Sequence, residues 1–220
     1  MTSTIRVSTR LSTALRSLLV VTSALVITGC ASMSEEECLT ADWYTIGYED
    51  GSRGYTADQI GNRRQACAKH GVAPDFRVYQ DGRAEGLKEY CQPQRGFNVG
   101  ASGGRYYGVC PANLEPGFVD AFRTGSQLHA LRSNVNAANH SISAKEAELE
   151  DIRETIRRKE AVLIGAETSI EDRVLAISDL KELNERTGQL EAEILDLVEE
   201  RAHHERQLLE YEQVLADSGY

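Results

Sequence analysis

The chain has 220 residues, 41% hydrophobic and 26% charged, a composition that suits a folded domain with an extension and excludes a disordered polymer. Formal net charge is −10; the first 29 residues hold three arginines (Arg6, Arg10, Arg16) and no acid, so the remainder carries −13, with 34 acidic against 21 basic groups. That balance repels phosphate backbones and argues against nucleic acid as a partner.

Arg6, Arg10 and Arg16 precede an apolar run from Leu18 to Ile27, which is much shorter than the roughly 20 residues a bilayer span needs. Basic residues, a short apolar run and then small residues describe a secretory signal over residues 1–29. Ile27-Thr28-Gly29-Cys30 resembles a lipobox, which implies cleavage before Cys30 and lipidation of its thiol. Several acyl chains, at about 0.8 kcal/mol per buried methylene, make a stable anchor. Residues 30–33 then serve as a lipidated tether. The absence of an aspartate beside Cys30 implies, by resemblance to sorted lipoproteins, the outer membrane facing the periplasm.

Four further cysteines, Cys38, Cys67, Cys91 and Cys110, fall within a stretch of fewer than 100 residues, which in an exported chain reads as two disulfides with three possible pairings. Neighbour pairing, Cys38–Cys67 with Cys91–Cys110, closes the shortest loops and is preferred. Cys67 and His70 have ligand-like spacing, but no second pair supports a zinc site, and neither metal nor cofactor is expected.

Residues 34–113 are expected to form a small helical head. Ser34-Glu35-Glu36-Glu37 reads as a capping box opening a helix. A second helix is expected from Thr56 as cap to near His70, with Gly71 as terminator. A third is expected after Ala73-Pro74-Asp75, with the proline in its first turn, running toward Cys91. Residues 92–113, rich in glycine, read as an irregular loop pinned by a disulfide. That loop contains neither phosphate-binding glycine pattern.

An aromatic-x-x-glycine element recurs at Tyr48–Gly51, Tyr79–Gly82 and Phe122–Gly125. Glycine inside a helix costs about 1 kcal/mol against alanine, so close helix–helix approach is the expected compensation. The rings of Trp43, Tyr44, Tyr48, Tyr79, Tyr106 and Tyr107 form the candidate ligand-binding set, for a cell-wall glycan or peptide. Asp50 and Asp81 are the acids a glycosidase would need, although nothing in the sequence fixes their separation.

Glu37-Cys38-Leu39, Asp42-Trp43, Ile46-Gly47-Tyr48 with Asp50-Gly51, Cys67 with Lys69-His70-Gly71, and Gly108-Val109-Cys110-Pro111 together resemble the DUF2799 family, over about residues 34–132. The resemblance implies a small proteobacterial lipoprotein of unknown function and supplies no catalytic residues.

Residues 114–220 open at Pro116, after which no proline occurs. Apolar residues recur in steps of three and four at Leu128, Leu131, Val135, Ala138, Ile142, Leu149, Ile152, Ile156 and Leu163, with Lys145 and Lys159 in the gaps. A second seam runs through Thr187, Leu190, Ile194, Leu197, Leu208, Tyr211 and Leu215, with Arg201 and His204 in its gaps. Gly165 to Ser169 reads as a turn, with Ser169 placed to cap a second long helix. The expected fold is mainly α: a disulfide-bonded helical head and a long antiparallel hairpin, in coiled-coil fashion. One unbroken helix pairing with another chain is the rival. No catalytic constellation stands out, so the expectation is a non-enzymatic envelope protein, held to a membrane by lipid and meeting a protein partner or its own copy through the coiled coil.

Overall fold

A computed structural model describes residues 33–219. Among these residues all regular structure is helical. Residues 1–29, expected to be a secretory signal, and Cys30 lie outside the described residues.

Helix α1, Glu35–Leu39, opens with the expected capping box: the Ser34 N–H donates to the Glu37 carboxylate at 2.7 Å and the Glu37 N–H to the Ser34 hydroxyl at 3.3 Å. It is one turn long. A new helix, α2, Trp43–Ser52, starts where the Asp42 carboxylate accepts from the N–H groups of Tyr44 and Thr45.

Helix α3, Gln59–Ala68, starts later than expected. Thr56 is not its cap: Ala57 and Asp58 form a turn whose bonds run from Gln59 N–H to Thr56 and from Ile60 N–H to Ala57, leaving Asp58 at the N-cap position. Gly71, at φ 71°, ends this segment in the left-handed region that glycine enters most easily.

Helix α4, Phe76–Tyr90, is capped by Asp75, whose carboxylate accepts from Arg77 and Val78. Pro74 therefore stands before the cap, not in the first turn: Asp75 is extended, and its carboxylate takes the leading N–H groups.

The largest departure is α5, Pro93–Ala101, where the sequence reads as loop. Pro93 sits in the first turn, where its missing N–H costs nothing, and Gly96 and Gly100 face a neighbouring helix. The irregular part of this stretch is confined to residues 102–114.

Two long helices complete the described chain, α6, Glu115–Ile164, and α7, Ile170–Asp217. The break between them removes the single-helix alternative. It lies at the expected turn, and the Ser169 hydroxyl accepts from the Asp172 N–H at 3.1 Å. The arms pack antiparallel, tied by Lys145–Glu193, Arg186–Glu148, Lys159–Asp179 and Arg132–Glu212. Every residue of both seams is buried or half-buried, Leu190 completely. The lysines in the seam gaps reach across to acids on the facing arm.

Within the head, α2 packs on α4, and α5 packs on the first turns of α6. The hairpin's first helix is therefore also a head helix. Disulfides join Cys38 to Cys67 and Cys91 to Cys110, with Cα–Cα distances of 5.5 and 5.6 Å. A small apolar core surrounds the second bridge: Leu87, Tyr90, Cys91, Cys110 and Phe118. The Phe118 ring lies 5.1 Å from that of Tyr90 and 4.8 Å from that of Tyr106.

Candidate functional site

Glycine decides how closely the head helices meet. A Cβ on Gly47 would strike the Tyr79 carbonyl, one on Gly51 that of Arg83, one on Gly82 that of Tyr44 and one on Gly86 that of Tyr48. The same holds for Gly96 against Phe118, Gly100 against Phe122 and Gly125 against Phe97. The recurring aromatic-x-x-glycine element is thus a packing device.

That packing delivers one charged group into the interior. Asp50, on α2, is 1% exposed. Arg63 of α3 grips it with two bonds, Nη2 to Oδ1 at 2.7 Å and Nε to Oδ2 at 3.3 Å, and the Tyr79 hydroxyl of α4 donates to Oδ2 at 3.0 Å. Burial, reinforced by the Asp50 charge, pushes the Tyr79 phenol far above its ordinary range. The cluster joins three helices. With its carboxylate held from both sides, Asp50 is a tie between elements. Asp81 stands apart on the exposed side of α4. Nothing in the sequence signals the Asp50–Arg63 pair beyond opposite charges 13 positions apart.

The six candidate rings do not converge. Tyr79 is fully buried, while Tyr44 and Tyr107 are exposed. Tyr106 is half-buried beneath the second disulfide, where its hydroxyl donates to Glu115 at 2.9 Å and accepts from the Cys110 N–H at 3.0 Å. Trp43 and Tyr48 are half-buried on α2. One hollow of the head lies elsewhere, an open groove of about 420 Å³ with Ile60, Arg64, Pro74 and Phe76 among its walls.

Cys67 is spent in a disulfide, which removes it as a zinc partner of His70. The rings of His203 and His204 lie 6.0 Å apart, and His204 instead meets Glu200 at 3.4 Å. Among the described residues no three metal-binding side chains cluster. None of the described helices is long and apolar enough to cross a membrane.

On the hairpin, the turn end carries aliphatic side chains facing water: Ile164, Ile170, Val174, Leu175 and Ile177 are all between 59% and 86% exposed. The other end folds back on the head, where the Tyr211 hydroxyl donates to the Thr124 carbonyl at 2.9 Å and Leu215 is buried.

No curated protein and no solved structure matches the chain. Residues 42–127, spanning α2 to the early turns of α6, match the model of the DUF2799 family, described as a protein of unknown function.

Proposed function

We propose that the protein is a non-enzymatic lipoprotein of the bacterial envelope, anchored through Cys30 at the outer membrane and facing the periplasm, with the hairpin as a spacer or docking arm. The observation that carries this reading is the continuity of α6, whose first turns are part of the head and whose last turns form the far end of the arm. At about 1.5 Å per residue its 50 residues reach roughly 75 Å. The two disulfides support an oxidising compartment. Exposed aliphatics at the turn end give the arm a contact point for a partner helix or a second copy.

The test is photo-crosslinking in cells from Val174 and Ile177. A defined adduct, with another envelope protein or with a second copy, is expected. If the only adducts come from probes on the head, the arm does not dock.

A ligand-binding head is the second reading, favoured by the groove beside α3. Its apolar walls of Ile60, Pro74 and Phe76, with Arg64 at the edge, fit a cell-wall peptide better than a glycan. Loss of peptide binding in Phe76→Ala, with Tyr107→Ala unchanged, would support it.

A further inference from the structure

The two close-packed helix pairs of the head have the same register. Adding 49 to positions in α2 gives positions in α5: Gly47, Gly51 and Gly54 become Gly96, Gly100 and Gly103. Adding 39 to positions in α4 gives positions in α6: Tyr79, Arg83, Gly86 and Tyr90 become Phe118, Phe122, Gly125 and His129. Under these two shifts the contacts map onto one another. Gly47 against the Tyr79 carbonyl becomes Gly96 against that of Phe118, Gly51 against Arg83 becomes Gly100 against Phe122, and Gly86 against Tyr48 becomes Gly125 against Phe97.

The helix ends agree as well. Gly54 and Gly103 take φ 73° and 74°. Their N–H groups donate to Gly51 and Gly100, both at 2.9 Å, and the next residues, Tyr55 and Gly104, donate to Asp50 and Val99, again both at 2.9 Å. A ring covers each glycine, Tyr90 over Gly54 and His129 over Gly103. In each pair a disulfide ties the chain just before the first helix to the connector before the second. Agreement at this many separate points is not a general property of glycine-packed helices, for which only the glycine spacing need be shared.

Register is not kept at every point: Gly82, whose Cβ would strike the Tyr44 carbonyl, corresponds to Ala121, and each cysteine lies four positions later in the second copy than the shifts give; the largest difference lies in the connector. The first connector is ten residues longer and contains α3, which has no counterpart in the second. Asp50, which Arg63 of α3 grips, and Tyr79, which donates to the same carboxylate, correspond to Val99 and Phe118. Val99 packs against the apolar core that contains Phe118. The frame is therefore built once with a carboxylate and a phenol, and once with a methyl-bearing chain and a plain ring. The polar version occurs only where the extra helix is present.

We infer that the head is a tandem duplication of one cysteine–helix–cysteine–helix unit, and that Asp50 and Tyr79 are positioning residues that lock the inserted helix α3 onto the first copy. Packing of α2 on α4 does not require them, because the second copy makes three of the same glycine contacts without them. Their task is to hold Arg63, and through it the α3 face.

Two sets of variants in the full mature chain test this. For the duplication, Gly51→Ala and Gly100→Ala should lower the midpoint of head unfolding alike, since each meets a backbone carbonyl. A large loss at one position beside none at the other would overturn the equivalence. For the lock, Asp50→Val with Tyr79→Phe recreates the second copy's solution. Hydrogen exchange should then quicken by about tenfold or more across residues 59–68 while α2 and α4 keep their protection. Equal loss of protection in α2 and α4 would show that Asp50 belongs to the frame and overturn the assignment. A third variant guards against simple misfolding: Arg63→Ala alone should destabilise the head, and adding Asp50→Val should restore it. Failure of that rescue would also overturn the lock.

Discussion

At the scale of single residues, the most exposed weakness is the buried charge. Removing Arg63 strands the Asp50 carboxylate with only the Tyr79 hydroxyl. Arg63→Ala is expected to cost about 3 kcal/mol, near the low end for a broken buried pair because the Arg63 side chain is 29% exposed; chemical denaturation measures it. Tyrosine ionisation probes the same region by a second route. Tyr79, Tyr90 and Tyr106 all have phenols pushed up, chiefly by burial. A group whose folded pKa is raised stabilises the fold fully below its unfolded value and loses that contribution as pH rises through the folded value. The head should therefore begin to lose stability above about pH 10, where the unfolded phenols ionise first. In a phenolate absorbance titration, these three should ionise together with unfolding. Independent ionisation of Tyr79 near pH 10 would show that its site is open to water.

At the scale of elements, caps and bridges set which parts persist. Ser169→Ala removes the hydroxyl that receives the Asp172 N–H and should cost about 1 kcal/mol, read as earlier fraying of α7 at the turn. Reducing both disulfides should melt the head at lower denaturant, by about 2–4 kcal/mol for each bridge, while most helical circular dichroism remains, because the hairpin contains neither bridge. The elements also differ in how far local sequence announces them. The hairpin is legible because its seam repeats over many turns, and chance seldom sustains steps of three and four for that long. Helix α5 is not: Gly96, Gly100, Gly103 and Gly104 carry the composition of a loop, and only the facing helix shows that the first two make room for a backbone. The start of α2 hides for a related reason, since Asp42 caps it after a single-turn α1 that already accounts for the local helix signal. The Asp50–Arg63–Tyr79 cluster has no periodicity at all. It exists because three helices meet, and local sequence does not encode that meeting.

At the scale of the whole molecule, acidity and length act together. The hairpin half holds most of the excess negative charge, and its arms are tied by crossing ion pairs. Glu193 is held below the usual carboxylate range, first by its hydrogen bond from Lys145 and then by that from Arg186. A depressed folded pKa contributes above the unfolded value and is lost as pH falls through the folded one. The hairpin's thermal midpoint should thus decline as pH drops below about 4.5, the ordinary range for glutamate. Lys145→Met should flatten that decline, as measured by circular dichroism melts. A midpoint that is flat with pH in the unaltered chain would mean that the crossing pairs contribute nothing.

Because α6 has no joint between the head and the turn, the arm behaves as a lever whose fulcrum is the glycine-packed junction with α5. Pivoting that junction by about 10° would sweep the far end through roughly 10 Å, given about 60 Å of α6 beyond it. A disturbance too small to notice in the head becomes a large change in where the arm's end can touch. The last turns of α7, tied to Thr124 beside the fulcrum through Tyr211, would scarcely move.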